Sequence, residues 1–522
     1  MIYRKEIDGL RAIAVVPVIL FHAGFSFVSG GYVGVDVFFV ISGYLITSII
    51  LADMASKEFS LVRFYDRRAR RILPALFMVM GCCIPLAWYL LVPEDLEDFS
   101  QSLMAVTTFV SNILFWQEET SYFNADAESK PLLHTWSLAV EEQFYLFFPL
   151  FLISIWRIGK NKVFWIIALM TLISLVVSHW GAYHKQSATY FLLPTRAWEL
   201  GIGVLIAFLC PDKKRIRRKW SHELYGVIGL LLIFYSIFAF NKDTPFPSFF
   251  ALIPVLGAAM IIMYTTSDSL VGKLLASRVA LSIGTLSYSA YLWHQPLLAF
   301  SKHWFINTPS LTWRSSIVVF TFSIAWLSWK FIERPFRNRS FLSHYKIFSL
   351  SLIGGLIYFL IGSIGYLKGG FPERANDPVA SALMEVMNEK TGQSDCWGRL
   401  SDNLSISNTC TLGMANSETT FSIVGDSHAG SLARYLDIAA SQKSLSGKDL
   451  TLFGCPVFLS SIRQDSVNKE QCKAFTKEFH DALGSNNIPH TLILSTRWPL
   501  WLKHIGFRNS EGGVENLKNV SL

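Results

Sequence analysis

The sequence predicts a polytopic α-helical membrane protein that carries a C-terminal extracytoplasmic α/β domain. Hydrophobic residues make up 52% of the 522 residues and charged residues only 16%, whereas a soluble domain is charged at about a quarter of its positions. Apolar segments of about 20 residues, the length that crosses a bilayer, recur as far as Leu367. Beyond Leu367 glycine, serine and asparagine become more frequent, and no such segment follows.

Eleven segments are predicted to cross the membrane. They cover residues 10–27, 33–52, 72–92, 136–156, 163–180, 190–210, 222–240, 249–266, 281–301, 312–332 and 347–367. The apolar segment 102–116 is short, and counting it as a span would move the basic run 213–219 to the opposite side. We therefore expect it to re-enter the membrane or to lie in the interface. No cleavable signal peptide is expected, because the first span carries Arg11 and lacks a small-residue cleavage site.

Basic residues concentrate on one side of these spans. Clusters lie at 63–71, 213–219 and 334–346, whereas the short loops of the opposite side contain only isolated lysines. The positive-inside rule therefore places the N-terminus in the cytoplasm and everything after Leu367 outside, which in a bacterium is the periplasm. The formal net charge of +8 follows from this topology, and we expect no nucleic-acid partner.

The first span carries two ionisable side chains on one face. Arg11 and His22 are about three helical turns apart, a rise of about 16 Å. Ionisable groups at such depth cost free energy and usually face a bundle interior or a watery cavity. We therefore expect a functional helix rather than a simple anchor.

The second span combines small residues with a carboxylate. Gly34, Ser42 and Gly43 either permit close helix packing or shape a site. Asp36 lies near the outer end of this span, and we expect it to set the tautomer or the charge of His22 in the preceding helix.

A segment at 64–74 contains four arginines in a predicted cytoplasmic loop. They are Arg67, Arg68, Arg70 and Arg71. The cluster can satisfy the positive-inside rule or bind anionic lipid, and it also suits bidentate recognition of the phosphates of a cytoplasmic donor.

Later spans contain further polar side chains. The adjacent Glu141 and Glu142 cannot both face lipid, so at least one should face a cavity. Arg196 and Glu199 are three positions apart and can pair within one helix, and Glu333 can be a plain helix terminus. The ninth span is expected to form part of an aromatic belt at the outer interface, through Tyr288, Tyr291, Trp293 and His294.

The region after Leu367 has a strand, turn and helix pattern of its own. An apolar strand at 420–424 precedes Gly425, Asp426, Ser427 and His428, and a helical pattern follows. This arrangement would expose Ser427 at a helix N-terminus, where backbone amides can hold an oxyanion. A second strand is predicted at 491–495.

Four of the seven cysteines lie in this outer region, where disulfides persist. Proximity favours the pairs Cys396 with Cys410 and Cys455 with Cys472, although four cysteines allow three connectivities. The others, Cys82, Cys83 and Cys210, are expected to pack in apolar surroundings.

The membrane part resembles the integral-membrane acyltransferase-3 family. The resemblance rests on Arg11 and His22 with ten residues between them, on Phe-x-x-x-Ser-Gly at 38–43, and on the segments 64–74 and 136–145. It covers roughly residues 1–340 and implies a ten-helix bundle that takes an acyl group, commonly acetyl from cytoplasmic acetyl-CoA, to an extracytoplasmic carbohydrate. It also implies that His22 is catalytic, that Arg11 is its companion, and that the arginines lie near the donor.

The outer motif at 425–427 resembles the first conserved block of the SGNH hydrolases and esterases. An acyltransferase-3 domain followed by an SGNH domain resembles the architecture of bacterial O-antigen and peptidoglycan O-acetyltransferases. The implied domains are an acyltransferase domain at 1–340, a connecting span at 341–368, a linker at 369–418 and an SGNH-like domain at 419–522.

The resemblance implies O-acetylation of a glycan at the bacterial inner membrane. The first prediction for the acceptor is lipopolysaccharide O-antigen, and the alternative is peptidoglycan. Acetyl-CoA, membrane lipid and the glycan are the expected partners, and no metal or permanently bound cofactor is expected.

The outer region departs from the SGNH pattern because no Asp-x-x-His follows Ser427. A serine hydroxyl is a poor nucleophile without a base, so either this domain is incomplete or it is not an autonomous hydrolase. Asp426 and His428 flank the serine as supporting candidates.

Two other functions fit parts of the pattern. A transporter or flippase of lipid-linked sugar could use Arg11, His22, Asp36 and Glu141 as a proton path. A membrane-tethered carbohydrate-binding protein would leave Ser427 inert. Product formation that depends on acyl-CoA distinguishes the enzyme from both.

Overall fold

A computed structural model of the chain shows two compact units, Met1–Asp377 and Pro378–Leu522. The structure describes residues 4–119, 129–210, 220–241, 243–266, 268–304, 310–338, 340–374, 410–414, 418–452, 462–463, 469–484, 491–495, 507–508 and 514–515.

The first unit is helical throughout its described residues. Its helices are α1 (Lys5–His22), α2 (Gly34–Ala55), α3 (Leu61–Leu90), α4 (Pro93–Thr107), α5 (Ser111–Glu119), α6 (Thr135–Ile155), α7 (Lys160–His184), α8 (Gln186–Phe191), α9 (Leu193–Leu209), α10 (Trp220–Ala239), α11 (Leu252–Tyr264), α12 (Leu270–Leu275), α13 (Arg278–Trp304), α14 (Leu311–Ser328), α15 (Arg334–Arg337) and α16 (His344–Leu367). A π-helical turn, Trp329–Glu333, joins α14 to α15.

Each of the eleven predicted spans coincides with a helix, which confirms the polytopic helical class. The matching helices are α1, α2, α3, α6, α7, α9, α10, α11, α13, α14 and α16. Among the described residues, eight helical segments are long and apolar enough to cross a membrane. The other three predicted spans fall short because α1 and α13 are richer in polar residues and α11 has only 13 residues.

Segment 102–116 does not form a continuous helix. α4 ends at Thr107 and α5 begins at Ser111, and Phe109 between them adopts a positive φ of 55°. The segment is therefore divided between two helices, neither of which is long enough to cross a bilayer by itself. α4 packs on α16, where a side-chain carbon added at Gly362 would lie 2.6 Å from the backbone oxygen of Ser100.

Small residues bring the central helices into close contact. A side-chain carbon added at Gly34 would lie 2.2 Å from the backbone oxygen of Ala14 in α1, and one at Gly43 would lie 2.0 Å from that of Leu200 in α9. Both distances are far below van der Waals contact, so α2 can hold its position between α1 and α9 only with glycine there. The packing alternative is therefore confirmed for Gly34 and Gly43.

The arginine-rich segment is helical, and the prediction of a loop at 64–74 is wrong. α3 begins at Leu61, with Ser60 as its N-cap residue. Arginine, alanine and leucine are good helix formers, and Asp66 pairs with Arg70 one turn later at 2.9 Å. The apolar span thus extends as a helix into its basic flank.

The second unit contains a four-stranded sheet. Its strands are β1 (Thr411–Gly413), β2 (Thr419–Gly425), β3 (Ser446–Thr451) and β5 (Thr491–Ser495), in the order β1-β3-β2-β5. β2 runs parallel to β3 and β5, whereas β1 is antiparallel to β3. The predicted strands at 420–424 and 491–495 are confirmed.

Two helices accompany this sheet, α17 (Ser427–Gln442) and α18 (Lys469–Gly484). Phe475 and Phe479 of α18 are fully buried against Val424 and Leu450 of the sheet. Three two-residue strands, β4 (Ile462–Arg463), β6 (Phe507–Arg508) and β7 (Val514–Glu515), form a separate antiparallel sheet.

The cysteines divide as predicted between the two units. Cys410 and Cys472 are disulfide-bonded, whereas Cys82, Cys83 and Cys210 are free thiols. Cys396 and Cys455, named in the predicted pairs, lie outside the described residues.

Candidate functional site

A pocket lies between α1, α2, α3, α6 and α13 of the helical unit. The empty space between its walls is about 790 Å³, including the open mouth. Its polar lining comprises Arg11, Ser42, Arg68, Arg71, Ser137, Glu141, Tyr145, Ser287, Tyr288 and Tyr291. We call this cavity the arginine pocket. It brings together five of the predicted site residues that are far apart in sequence.

Two of the four predicted phosphate-binding arginines face the arginine pocket. Arg68 and Arg71 are three positions apart on α3 and therefore share one side of the helix. The guanidinium of Arg68 lies 5.8 Å from the ring centroid of Tyr145. Neither arginine forms an ion pair with a carboxylate among the residues that the structure describes. Both are thus placed to bind an anionic ligand.

The other two arginines have structural partners. Arg67 pairs with Asp53 of α2 at 2.8 Å. Arg70 is buried, donates to the carboxylate of Asp66 at 2.9 Å, and donates to the backbone oxygen of Leu342 at 2.6 Å. Donor binding by all four arginines therefore stays a prediction. Arg68 and Arg71 line the arginine pocket, whereas Arg67 and Arg70 are held by Asp53 and Asp66.

Glu141 is held at the wall of the arginine pocket by two hydroxyl groups. Ser42 donates to Oε1 at 2.8 Å and Tyr145 donates to Oε2 at 2.9 Å. Because the ring of Tyr145 lies beside Arg68, these contacts connect α2, α6 and α3. The prediction that at least one acid of the pair faces a cavity is confirmed for Glu141. Glu142 does not line the pocket, and its Oε1 is buried without a hydrogen-bond partner among the described residues.

Arg11 and His22 lie at different places along α1. Arg11 lines the arginine pocket and forms an ion pair with Asp8 at 2.6 Å. His22 is half-buried and does not line the pocket. The predicted pair therefore serves two separate parts of the unit.

His22 belongs to a cluster of three histidines. Its ring centroid lies 5.2 Å from that of His294 on α13, which lies 5.5 Å from that of His134 before α6. His294 has no exposed surface and His134 is 3% exposed. We call these three residues the histidine cluster. Only His22 of the three was expected at the site.

Tyr291 connects the arginine pocket to the histidine cluster. Its ring lines the pocket and lies 5.1 Å from the ring of His294 and 5.5 Å from that of His134. Its hydroxyl lies 2.6 Å from Oγ of Ser137 and donates to the backbone oxygen of His134 at 3.0 Å. The two groups of side chains are therefore parts of one continuous site.

The aromatic-belt prediction for the ninth span is wrong. Trp293 and His294 are fully buried, and Tyr288 donates to the backbone oxygen of Ile72 in α3. The reason is that α13 packs centrally against α1, where Gly284 meets the backbone of Asp8. A histidine inside a predicted span, the feature that identified His22, was also present at His294 in the sequence.

Asp36 does not serve His22 as predicted. Its carboxylate forms an ion pair with Arg196 of α9 at 3.1 Å, and Arg196 also pairs with Glu199 at 3.1 Å. Nδ1 of His22 instead faces the backbone oxygen of Val18 at 3.0 Å. The prediction fails because the buried guanidinium attracts Asp36 toward α9, whereas the predicted pairing of Arg196 with Glu199 is confirmed.

Glu333 is more than a helix terminus. It is fully buried at the end of the π-helical turn, where Ser289 of α13 donates to it at 2.8 Å and Arg337 pairs with it. Single π-turns occur frequently at functional sites. Here the turn fixes Arg337 close enough to Arg11 and Arg71 for their charges to interact.

Lys130 joins the loop before α6 to α4 and α5. It donates to Asp98 at 2.8 Å and to Glu118 at 2.7 Å. Burial opposes its charge, but the two hydrogen-bonded carboxylates outweigh this effect and raise the pKa of Lys130. Gln295, next to His294, donates to the backbone oxygen of Lys130 at 3.2 Å. The loop that carries His134 is thereby anchored on two sides.

In the second unit, Gly425 makes the turn from β2 into α17. Its φ is +151°, and an added side-chain carbon would lie 1.7 Å from the backbone oxygen of Ser495 at the end of β5. Only glycine fits this turn. Asp426 is buried beside it. Ser427 begins α17 as predicted, but the side chains of Ser427 and His428 lie outside the described part of the structure.

Asp449 of β3 is a buried carboxyl in the same unit. Its burial raises its pKa to about 6, and contacts with Thr451 oppose this effect only in part. One of its oxygens is buried without a hydrogen-bond partner in the described part of the unit. The protonated form is therefore favoured in the folded protein at mildly acidic pH.

Comparison with known families matches both units. Residues 4–330 match a family described as an acyltransferase domain, and residues 395–519 match one described as an SGNH domain fused to AT3 domains. No solved structure matches the chain significantly.

Two curated relatives share about a third of their aligned residues with this chain. The peptidoglycan O-acetyltransferase OatA of Listeria monocytogenes is 34% identical over 365 residues, which cover 66% of this chain and 58% of the relative. The O-acetyltransferase OatA of Staphylococcus aureus is 33% identical over 353 residues, covering 65% and 58%. The chain thus aligns with less than two thirds of the length of either relative.

Proposed function

The chain belongs to the acyltransferase family whose domain covers residues 4–330, and from this premise we propose that it moves an acetyl group from acetyl-CoA to a hydroxyl of peptidoglycan outside the membrane. The observation that carries the proposal is the continuity of the arginine pocket with the histidine cluster through Tyr291. One part suits an anionic donor and the other suits proton transfer.

The arginine pocket would hold the donor. Arg68 and Arg71 offer guanidinium groups that can form bidentate hydrogen bonds to the phosphates of acetyl-CoA. Arg11 adds a third positive charge at the same wall. The acetyl thioester would then extend past Ser137 and Tyr291 toward His22.

His22 would act on the acetyl group as general base or as its transient carrier. Because a backbone carbonyl can only accept, the contact with Val18 requires the proton of neutral His22 to be on Nδ1. Nε2 then carries the lone pair that either role needs. Outside the membrane, the acetyl group would reach a sugar hydroxyl directly or through an acyl-enzyme on Ser427.

The proposed orientation has the N-terminus inside and the second unit outside, at the inner membrane of a bacterium. The distribution of basic residues supports this topology. The disulfide-bonded states of Cys410 and Cys472 support an oxidising compartment for the second unit.

Peptidoglycan is the acceptor that the comparisons favour. The Listeria relative is named for O-acetylation of peptidoglycan, whereas nothing in the comparisons tests the first prediction of lipopolysaccharide O-antigen. A membrane preparation offered acetyl-CoA with peptidoglycan fragments, or with lipopolysaccharide, separates the two. New ester groups on muropeptides alone support the proposal, and esters on lipopolysaccharide alone contradict the acceptor.

The role of His22 is tested by His22→Ala in the inserted full chain. We expect loss of acetyl-CoA-dependent ester formation. His184→Ala is a matched control, because Nδ1 of His184 also contacts a backbone oxygen four residues earlier, at 2.8 Å, but its ring stacks on Trp180 at an exposed site. Undiminished product in the His22 variant would refute the proposal.

The role of Ser427 is tested by Ser427→Ala with the same assay. A covalent relay through Ser427 predicts loss of esters on the glycan with continued binding of acetyl-CoA. Direct transfer from the membrane unit predicts that the product survives.

A further inference from the structure

His22 and His294 adopt the same tautomer, in which Nε2 is the basic nitrogen. Nδ1 of His294 lies 2.5 Å from the backbone oxygen of Tyr291, as Nδ1 of His22 lies 3.0 Å from that of Val18. Since each carbonyl must accept, each Nδ1 carries a proton and each Nε2 carries a lone pair in the neutral ring. Nε2 of His294 is buried without a hydrogen-bond partner among the described residues.

An unpartnered basic nitrogen at full burial is costly, so a group that donates a hydrogen bond should occupy the position when the site is loaded. The ring centroids of His22 and His294 are 5.2 Å apart, so the two rings are neighbours. The described residues contain no histidine, cysteine, aspartate and glutamate group with the geometry of a metal site. The accepting Nε2 atoms of neutral His22 and His294 suit an acid–base role.

Resting on the proposed function, we propose that His22 and His294 divide the transfer between them: His22 carries the acetyl group and His294 is the base for the accepting hydroxyl. Once Nε2 of His22 is acetylated it has no lone pair, so a separate base is needed for the second half of the reaction. His22 is the half-buried ring of the two and His294 the fully buried one, which suits a carrier that meets the substrate and a base that is shielded from water.

The proposed steps balance. Nε2 of His22 forms a bond to the acetyl carbon, and the bond from that carbon to the sulfur of acetyl-CoA breaks to release a thiolate. The accepting oxygen then bonds to the acetyl carbon while its proton passes to Nε2 of His294, and the bond to His22 breaks. The proton on His294 finally neutralises the thiolate, so that one hydroxyl and one thioester give one ester and one thiol.

His134 would position this pair. Its ring lies 5.5 Å from that of His294, and its backbone oxygen receives the hydroxyl of Tyr291. Both of its ring nitrogens are buried without hydrogen-bond partners in the described part of the unit.

The test compares His294→Asn and His294→Gln in the purified full chain with acetyl-CoA and peptidoglycan fragments. The asparagine amide can replace the contact of Nδ1 with Tyr291, and the glutamine oxygen can replace Nε2 as an acceptor, but neither takes up a proton. We expect both to lower kcat by about 10²–10⁴-fold, the range for loss of a general base. The ratio kcat/KM for acetyl-CoA should stay within threefold of wild type, because formation of acetyl-His22 does not use His294.

The decisive measurement is the release of thiol in the first turnover. If His22 is the carrier, His294→Asn releases about one thiol per protein rapidly and then stops, because acetyl-His22 forms but is not consumed. The double variant His22→Asn with His294→Asn shows no such burst, and His184→Asn behaves as wild type.

The outcomes separate this inference from the proposed function. A wild-type protein that forms no ester from acetyl-CoA overturns both. Normal turnover in wild type, with His294→Asn within threefold of it or without a burst, overturns the inference alone. If the His294 variants lose acetyl-CoA binding together with turnover, the role of His294 is structural and the inference is likewise overturned.

Discussion

Two of the clusters of buried charge in the described part of the helical unit differ in how completely they are paired. Arg196 lies between Asp36 and Glu199, and all three side chains have almost no exposed surface. In the arginine pocket, by contrast, Arg68 and Arg71 face a cavity without a carboxylate partner in the described part of the chain. Burial of charge within a membrane unit is common to both, so burial alone does not identify the site. The unpaired cluster that borders a cavity does.

Substitutions in the cluster of Arg196, Asp36 and Glu199 should lower the stability of the folded protein. Arg196→Met leaves two buried carboxylates without their cation, which typically costs about 3–5 kcal/mol. We expect a large loss of folded protein and a lower thermal midpoint in detergent. Adding Asp36→Asn and Glu199→Gln to the same chain should restore much of the stability, because no buried charge then remains unpaired. A single variant as stable as wild type would contradict the structural role of this cluster.

Substitutions in the arginine pocket should instead weaken the binding of acetyl-CoA. Arg71→Gln removes a guanidinium that would donate hydrogen bonds to the phosphates of acetyl-CoA. Hydrogen bonds to charged groups contribute about 1.5–3 kcal/mol. We therefore expect KM for acetyl-CoA to rise by about 10–100-fold while the thermal midpoint stays within a few degrees.

Arg67→Gln is the matched control for this prediction. It lies on the same helix, but its partner Asp53 is partly exposed, and such pairs contribute only about 0–1 kcal/mol. KM should not change. Equal effects in the two variants would show that overall positive charge, rather than orientation toward the arginine pocket, determines donor binding.

The predictions from the sequence located the helical spans, the strand and helix around Ser427, and part of the candidate site. Arg11, His22, Ser42 and Glu141 were identifiable because ionisable or small polar groups stand out in apolar segments. The division of the arginines was missed because the segment was taken for a loop, in which the i, i+4 pair of Asp66 with Arg70 is not expected. The pair of Arg67 with Asp53 of α2 depends on the packing of two helices. The histidine cluster needed tertiary packing, since residues 22, 134 and 294 meet only when α13 packs beside α1.

Asp449 of the α/β unit extends the comparison to a buried carboxyl that has no ion-pair partner among the described residues. Burial raises the pKa of Asp449 from an ordinary value near 3.8 to about 6. Since the folded state binds this proton more tightly than the unfolded state, its contribution to stability is complete below about pH 4 and is lost as the pH rises to about 6. The loss amounts to about 2–3 kcal/mol at 1.36 kcal/mol per pKa unit.

Asp449→Asn cannot ionise and should escape this loss. We expect its unfolding free energy to exceed that of wild type by about 2 kcal/mol above pH 6.5, with the difference shrinking toward pH 4. Denaturant unfolding of the full chain at several pH values, followed by a probe in the second unit, measures it. A difference that does not depend on pH would argue against a titrating Asp449.

The smallest effect on acetyl-CoA binding is expected for substitution of Ser42, which lines the arginine pocket. Its hydroxyl holds Glu141, which holds Tyr145, whose ring lies beside Arg68. Ser42→Ala removes the hydrogen bond to Glu141 without introducing a charge, so Arg68 should become less well positioned. We expect KM for acetyl-CoA to rise by about three- to tenfold, which corresponds to about 1 kcal/mol. Ser42→Thr keeps the hydroxyl and should restore binding. If alanine and threonine behave alike, the contact with Glu141 does not position the donor site, and Ser42 serves only the packing of α2.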